Sequence, residues 1–257
     1  MNRQAKILLY DIETSAIVAH VWKIWQADAI KVVEDWDIIC FAYKWYGDKK
    51  THFVAQWDFP DFKPNVRNDK QVVQKLWELF NEADIVVGHN SKSFDDKKVQ
   101  ARMMIHHMPP PAPYRQIDTK LEVKKVSAHT SNSLSALAHS LELDPKDDAG
   151  GYSTWLNSMA GDKKAQRHFK KYNLQDVNTL EQLYEEVRPW MKTHPQMNVL
   201  LGRPEACPKC GEKTMNKVMK YKATNGNRYQ YYRCKECGGM SKSRVPEESY
   251  QKMQYVN

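Results

Sequence analysis

Lys6-Ile7-Leu8-Leu9-Tyr10-Asp11-Ile12-Glu13-Thr14 is an apolar run of strand length that ends in two carboxylates. Side chains alternate faces along a strand, so residues two apart point the same way. Asp11 and Glu13 are therefore expected side by side at the end of a buried strand. Adjacent like charges are costly unless a cation lies between them, and oxygen ligands favour Mg²⁺ or Mn²⁺. Asp-x-Glu after a strand is a weak signal and by itself reads as an exposed strand end, so the rest of the chain has to decide.

The strand is followed by an irregular, Trp-rich stretch to about Asp37. Trp22, Trp25 and Trp36 could stack bases, but the expectation taken is that they pack the edge of the core. Residues 37–45 and 51–55 read as strands around the Gly47-Asp48 turn, with Cys40 a core residue. Three strands in succession point to an antiparallel meander. Val72, Val73, Leu76, Trp77 and Phe80 then form one face of a helix over 71–81. A short buried strand over 83–88 follows, as in a parallel crossover. A polar loop from His89 leads into a helix reaching about Met108, stopped by three prolines. Residues 115–118 read as a strand, 133–143 as a helix capped from Ser131 to Ser133, and 144–152 as a loop. Lys146-Asp147-Asp148 is taken as solvated loop, and a last long helix runs from Asp162 to Val187. The first ~190 residues thus predict an α/β layer fold, a mixed sheet flanked by helices.

Further acids stand at element ends: Asp95 where strand gives way to helix, and Asp176 four residues after Tyr172 on the last helix. That spacing puts Tyr172 and Asp176 on one helix face. Taken alone, the pair reads first as a core tyrosine with a solvated acid. The series Tyr10-Asp11-Ile12-Glu13-Thr14, Gly88-His89-Asn90-x3-Phe94-Asp95 and Tyr172-x3-Asp176 resembles the three motifs of DEDD (DnaQ-like) 3′–5′ exonucleases. The middle motif is most similar to the proofreading domains of family B DNA polymerases. Ile117-Asp118-Thr119 and Gly161-Asp162 resemble stand-alone phage exonucleases. Tyr172 places the chain in the tyrosine subclass; the position the histidine subclass would use holds Lys171, and His168 reads as a surface residue. The resemblance covers about residues 5–190 and implies a ribonuclease H-like fold. It implies that Asp11, Glu13, Asp95 and Asp176 hold two divalent cations and that Tyr172 orients a water. It also places Asn90 and Phe94 near the 3′-terminal nucleotide, although Phe94 could equally pack in the core. Asp96 and Asp118 fall outside the register, and Asp118 could cap the helix after it.

The C-terminal segment has a different chemistry. Cys207-Pro208-Lys209-Cys210-Gly211 and Cys234-Lys235-Glu236-Cys237-Gly238 are two Cys-x2-Cys knuckles separated by 23 residues. Four thiolates close a tetrahedron around one structural Zn²⁺, and a hairpin (216–221 and 228–233, turning at 224–226) fills the interval, as in a zinc ribbon. Between Ala206 and Arg244 stand seven Lys and three Arg against two Glu. The chain totals of 39 basic and 31 acidic residues leave 29 of each elsewhere, so the formal charge of +8 resides in this segment. Tyr229, Tyr231 and Tyr232 interleave with these cations, as on a surface that touches nucleic acid. The expected organisation is an exonuclease domain over 1–190, a linker over 191–205, a zinc ribbon over 206–245 and a tail over 246–257.

No apolar run approaches the ~20 residues of a membrane span, and no signal peptide is read at the start. The expectation is a protein of the reducing cytoplasm of a bacterial or phage-infected cell. The reading is a two-metal 3′–5′ exonuclease that releases nucleoside 5′-monophosphates, preferentially from single-stranded DNA. A separate polymerase or replication protein would be its partner in proofreading. The alternatives are an RNA 3′-end exonuclease of the ribonuclease D type and a catalytically silent nucleic-acid-binding protein.

Overall fold

A computed structural model describes residues 5–25, 28–144, 151–218, 222–224, 227–249, 251 and 254. Residues 6–183 form one compact unit, and the chain from Tyr184 onward belongs to a second.

In the first unit, β1 (Ile7–Thr14) is followed by a hairpin, β2 (Val18–His20) and β3 (Lys31–Glu34), and then by β4 (Ile38–Trp45) and β5 (His52–Ala55). After α1 (Lys70–Glu82), β6 (Ile85–Gly88) and α2 (Asp95–Ile105) come β7 (Arg115–Asp118), α3 (Thr119–Val126), α4 (Leu134–Ser140), α5 (Tyr152–Met159) and α6 (Lys163–Val187). The main sheet has the order β5-β4-β1-β6-β7. β4 and β5 continue β1 as the expected antiparallel meander, while β1, β6 and β7 run parallel. Residues bearing chemistry therefore collect at the carboxyl ends of three parallel strands, where such sheets bind ligands.

One sheet face, with Leu8, Tyr10, Ile12 and Phe41, packs against Val72, Val73, Leu76 and Phe80 of α1 and Val99 and Met103 of α2. On the other, Ile39, Cys40 and Ala55 pack with Phe169 and Tyr172 of α6 and Met159 of α5. Buried Phe169, Tyr172, Asn173, Asp176, Val177 and Leu180 recur at three- and four-residue intervals, the stripe a helix turns inward. A Lys44–Glu181 ion pair and a Thr51–Asn178 hydrogen bond pin that helix across the meander.

Several expectations need correction. The stretch before Asp37 is not irregular, because β2 and β3 pair as a separate two-stranded sheet. Its strands are largely exposed on both faces, so no alternation of polar and apolar residues marks them. Trp36 does pack against the core, but Trp22 and Trp25 do not: they are 86% and 82% exposed. α2 ends at Ile105 rather than near Met108, and α4 stops at Ser140, capped by Ser133 as expected. α3 and α5 are short helices with too few turns to show a period. Lys146-Asp147-Asp148 lies outside the described residues.

The second unit takes in the end of α6, then α7 (Met197–Leu200), β8 (Met215–Lys217), β9 (Lys222–Thr224), β10 (Asn227–Tyr229), β11 (Tyr231–Cys234), β12 (Met240–Lys242) and β13 (Glu248–Ser249). The division falls within the last turn of α6. The expected hairpin exists in two parts: β8 pairs with β11 and β9 with β10, and its turn residues Asn225 and Gly226 lie outside the described residues.

Candidate active site and metal centres

β1 presents Asp11 and Glu13 on the face covered by α6, which brings Asp176 to them. One carboxylate oxygen from each of the three lies within 4.8 Å of the others. Asp176 is 2% exposed, and Asp11 and Glu13 are half-buried. Asn173, fully buried one turn before Asp176, donates from Nδ2 to Asp11 Oδ2 at 2.8 Å. This contact was not foreseen. The signal that could have found it is that Asn173 lies beside Tyr172 and three residues before Asp176, on the stripe α6 turns inward.

Asp95 is not one of the three clustered acids. It begins α2 and accepts the Ile12 N–H at 3.3 Å, between Asp11 and Glu13 in sequence. β6 pairs with β1 only as far as Leu9, which leaves that N–H without a strand partner on this side. Burial pushes the Asp95 carboxyl up to about 6 against the opposing pull of the Ile12 N–H, with Asp118 and Asp96 adding to the rise. Tyr172 is held well above its ordinary value by burial first, then by the fields of Asp176 and Glu13, and it hydrogen-bonds Asp176. Buried Cys40 is raised by burial and then by Glu13 and Asp11. Burial and the negative field around the cluster thus raise all three groups; Tyr172 and Cys40 keep their protons, and a divalent cation would relieve the field on the carboxylates.

The loop after β6 is folded tightly. A Cβ on Gly88 would lie 2.5 Å from Ser91 Cβ, so only glycine lets the loop turn back here. Asn90 has a φ of 67°, which asparagine tolerates, and its Oδ1 accepts from Lys120 Nζ (3.2 Å) and Ser93 Oγ (3.1 Å). Asp118 straps the loop by accepting from the N–H groups of Asn90 (3.0 Å) and Lys92 (3.1 Å), and it caps α3 through Leu121 N–H. Asp96 turns elsewhere, to Tyr114 and Gln100. Phe94 is 41% exposed, so it is not a core ring.

In the second unit, Cys207, Cys210, Cys234 and Cys237 gather with sulfur atoms within 4.8 Å and no disulfide. Cys207 and Cys237 Sγ are 3.8 Å apart, and Cys210 and Cys234 Sγ 3.6 Å. A tetrahedron with Zn–S of ~2.3 Å has an edge of about 3.8 Å. The knuckles close alike: Gly211 N–H returns to Cys207 O and Gly238 N–H to Cys234 O, both glycines having positive φ. The Cys207 thiol is held well below its usual range by Cys210, whose side chain donates to it, and by the Cys210 and Lys209 N–H groups. The same unit holds a groove of about 1100 Å³ whose lining includes Trp190, Lys192, Tyr231, Arg233 and Lys242, with Glu185, Glu186 and Glu236 also present.

Residues 32–188 match the family model of the RNase H superfamily. The chain belongs to the RNase H superfamily. Its RNase H-like sheet also has a structural counterpart in the family B DNA polymerase from the hyperthermophilic archaeon Pyrobaculum calidifontis. The TM-score is 0.52 at 15% identity, with 88% of this chain and 32% of that one covered. The chain thus spans about a third of the polymerase's length. No curated protein matches it in sequence. RNase H-like nucleases use divalent metals; the acidic trio and the four cysteines each suit one. Among the described residues no helix is long and apolar enough to cross a membrane.

Proposed function

We propose that the protein is a two-metal 3′–5′ exonuclease of the tyrosine DEDD subclass that releases nucleoside 5′-monophosphates, preferentially from single-stranded DNA. The observation that carries this is the convergence of Asp11, Glu13 and Asp176 beside the raised hydroxyl of Tyr172. Asp95, on the Ile12 N–H, is the fourth carboxylate of the proposed set. Two Mg²⁺ or Mn²⁺ bound there would neutralise charge on the attacking and leaving oxygens and acidify the attacking water. Tyr172 keeps its proton, so it acts as a hydrogen-bond donor that positions water rather than as a base. Asn173 holds Asp11 in one orientation. Phe94 offers an exposed ring for the terminal base, and Asn90 shapes the loop beneath it.

The four cysteines would hold one structural Zn²⁺, making residues 206–245 a zinc ribbon, and the groove it lines together with residues 185–196 would bind nucleic acid. The preference for DNA rests on the Asn90-x3-Phe94-Asp95 motif. The proposed setting is the cytoplasm of a bacterial or phage-infected cell, beside a separate polymerase or replication protein.

A time course on end-labelled single-stranded DNA, single-stranded RNA and duplex, with Mg²⁺, Mn²⁺ or EDTA, tests the reading. A 5′ label should yield a ladder that shortens from the 3′ end, fastest on single-stranded DNA and absent in EDTA. Faster loss of RNA would favour the ribonuclease D type, and no loss of any substrate would leave only a binding protein.

A further inference from the structure

The β2–β3 hairpin leaves β1 directly after the catalytic carboxylates, and it is apolar where it should be polar. Trp22 and Trp25 are more than four-fifths exposed, and Ile24, Val32 and Val33 are at least half exposed or close to it. Soluble chains seldom leave such a patch without a partner. A lone two-stranded hairpin is also marginal in water, yet this one is firmly rooted. Ser15 and Asp37 exchange backbone and side-chain hydrogen bonds across its base. Arg67 Nη1 donates to Ala16 O at 2.7 Å and Asp35 O at 2.8 Å, and its Nε pairs with Glu34 at 3.0 Å. The root is thus fixed to the strand that carries Asp11 and Glu13.

A row of rings and one cation joins that root to the site. Lys98 Nζ lies 5.0 Å from the Phe94 ring centroid and 3.7 Å from that of Trp36. Phe94 precedes Asp95, and Trp36 precedes the Asp37 that clamps the hairpin. Exposed rings beside a cation suit unpaired bases joined by phosphates, and every base offers a π face. An apolar protein partner would account for the valines but not for two exposed indoles on a hairpin rooted beside the acids.

We propose that the β2–β3 hairpin is a stacking platform for the unpaired strand whose 3′ end enters the carboxylate site, with Trp22 and Trp25 each taking a base upstream of Phe94, Lys98 and Trp36. The proposal rests on the exonuclease reading above and adds the path of the substrate.

The test compares wild type with the Trp22→Ala/Trp25→Ala double variant and the Trp22→Phe/Trp25→Phe double variant. Binding of a fluorescent oligo-dT 20-mer is followed by anisotropy with Ca²⁺ replacing Mg²⁺, over a range of salt. Both side chains are exposed, so the variants lose no packing. Loss of two stacked bases should raise Kd at least about 30-fold in the alanine variant, with a large part restored by phenylalanine. The log–log salt slope should stay as in wild type, because no phosphate contact is removed. An alanine-variant affinity within about twofold of wild type, where each stacked base should give fivefold or more, overturns the proposal. A shift from dimer to monomer by light scattering, with DNA affinity kept, also overturns it and assigns the hairpin to an interface between copies. If wild type itself degrades no nucleic acid, the exonuclease reading falls as well, so the two failures are distinguishable.

Discussion

The two candidate metal-binding clusters of this chain are assembled in opposite ways. The cysteine cluster comes from two knuckles that each close within five residues, Cys207 to Gly211 and Cys234 to Gly238, with a short antiparallel sheet holding them together. The carboxylate cluster joins Asp11 and Glu13 on β1 to Asp176 on α6, more than 160 residues later, and needs the whole sheet to exist. The first kind of site depends on its metal to fold. The second depends on the fold to gather its metal ligands, because three carboxylates repel one another until a cation arrives. Losing the cation should therefore unfold the ribbon but only silence the acids.

Removing an acid should give the largest effect on hydrolysis. Asp176→Ala, and likewise Asp11→Ala, should lower turnover on single-stranded DNA by more than about 100-fold, since a lost cation clamp costs several kcal/mol of barrier. Zinc content and circular dichroism should not change. A variant that keeps a hundredth or more of the wild-type rate removes that acid from the reactive set.

Tyr172→Phe takes away one hydroxyl and little volume. A rate loss of about 10–1000-fold is expected in single turnover, as for one positioning hydrogen bond. Unchanged chemistry would return Tyr172 to a packing role.

Asn173→Leu tests the support of Asp11. It removes the 2.8 Å hydrogen bond and should raise the Mg²⁺ concentration needed for half-maximal activity by about 10-fold, as outer hydrogen bonds to metal ligands commonly do. Activity at saturating Mg²⁺ should largely recover; a loss that no Mg²⁺ restores would point to a different fault.

The smallest effect on chemistry is expected from the other cluster. Cys207→Ser should release zinc and unfold the ribbon, read by metal analysis and hydrogen exchange confined to residues beyond 205. Hydrolysis of a very short oligonucleotide should change less than about threefold, within ~0.7 kcal/mol of barrier. Binding of long DNA should weaken and lose salt dependence as phosphate contacts go. If the short-substrate rate collapses, the two clusters are not independent.

The limits of the sequence follow the same division. The knuckles could be read outright, because their geometry is set by residues three apart and by glycines that reach positive φ. The meander, α1 and β6 were also legible, because each buries one regular face or run and burial imposes a pattern on the residues. The β2–β3 hairpin was invisible because it buries neither face, and α3 and α5 because so few turns carry no period. In the site, the spacing of Tyr172 and Asp176 set their shared helix face, but it could not say which acids would meet.

Through the resemblance it carries, the order of acids and tyrosine along the chain was thus enough to point to the type of fold and to the residues to examine, and the two Cys-x2-Cys knuckles pointed to a cysteine cluster. Only the tertiary structure decided that Asp11, Glu13 and Asp176 lie together while Asp95 takes the Ile12 N–H, that Asn173 supports Asp11, and that Trp22 and Trp25 face solvent. The reason is physical: local spacing fixes direction along one helix or strand, whereas proximity and exposure depend on how separate elements pack.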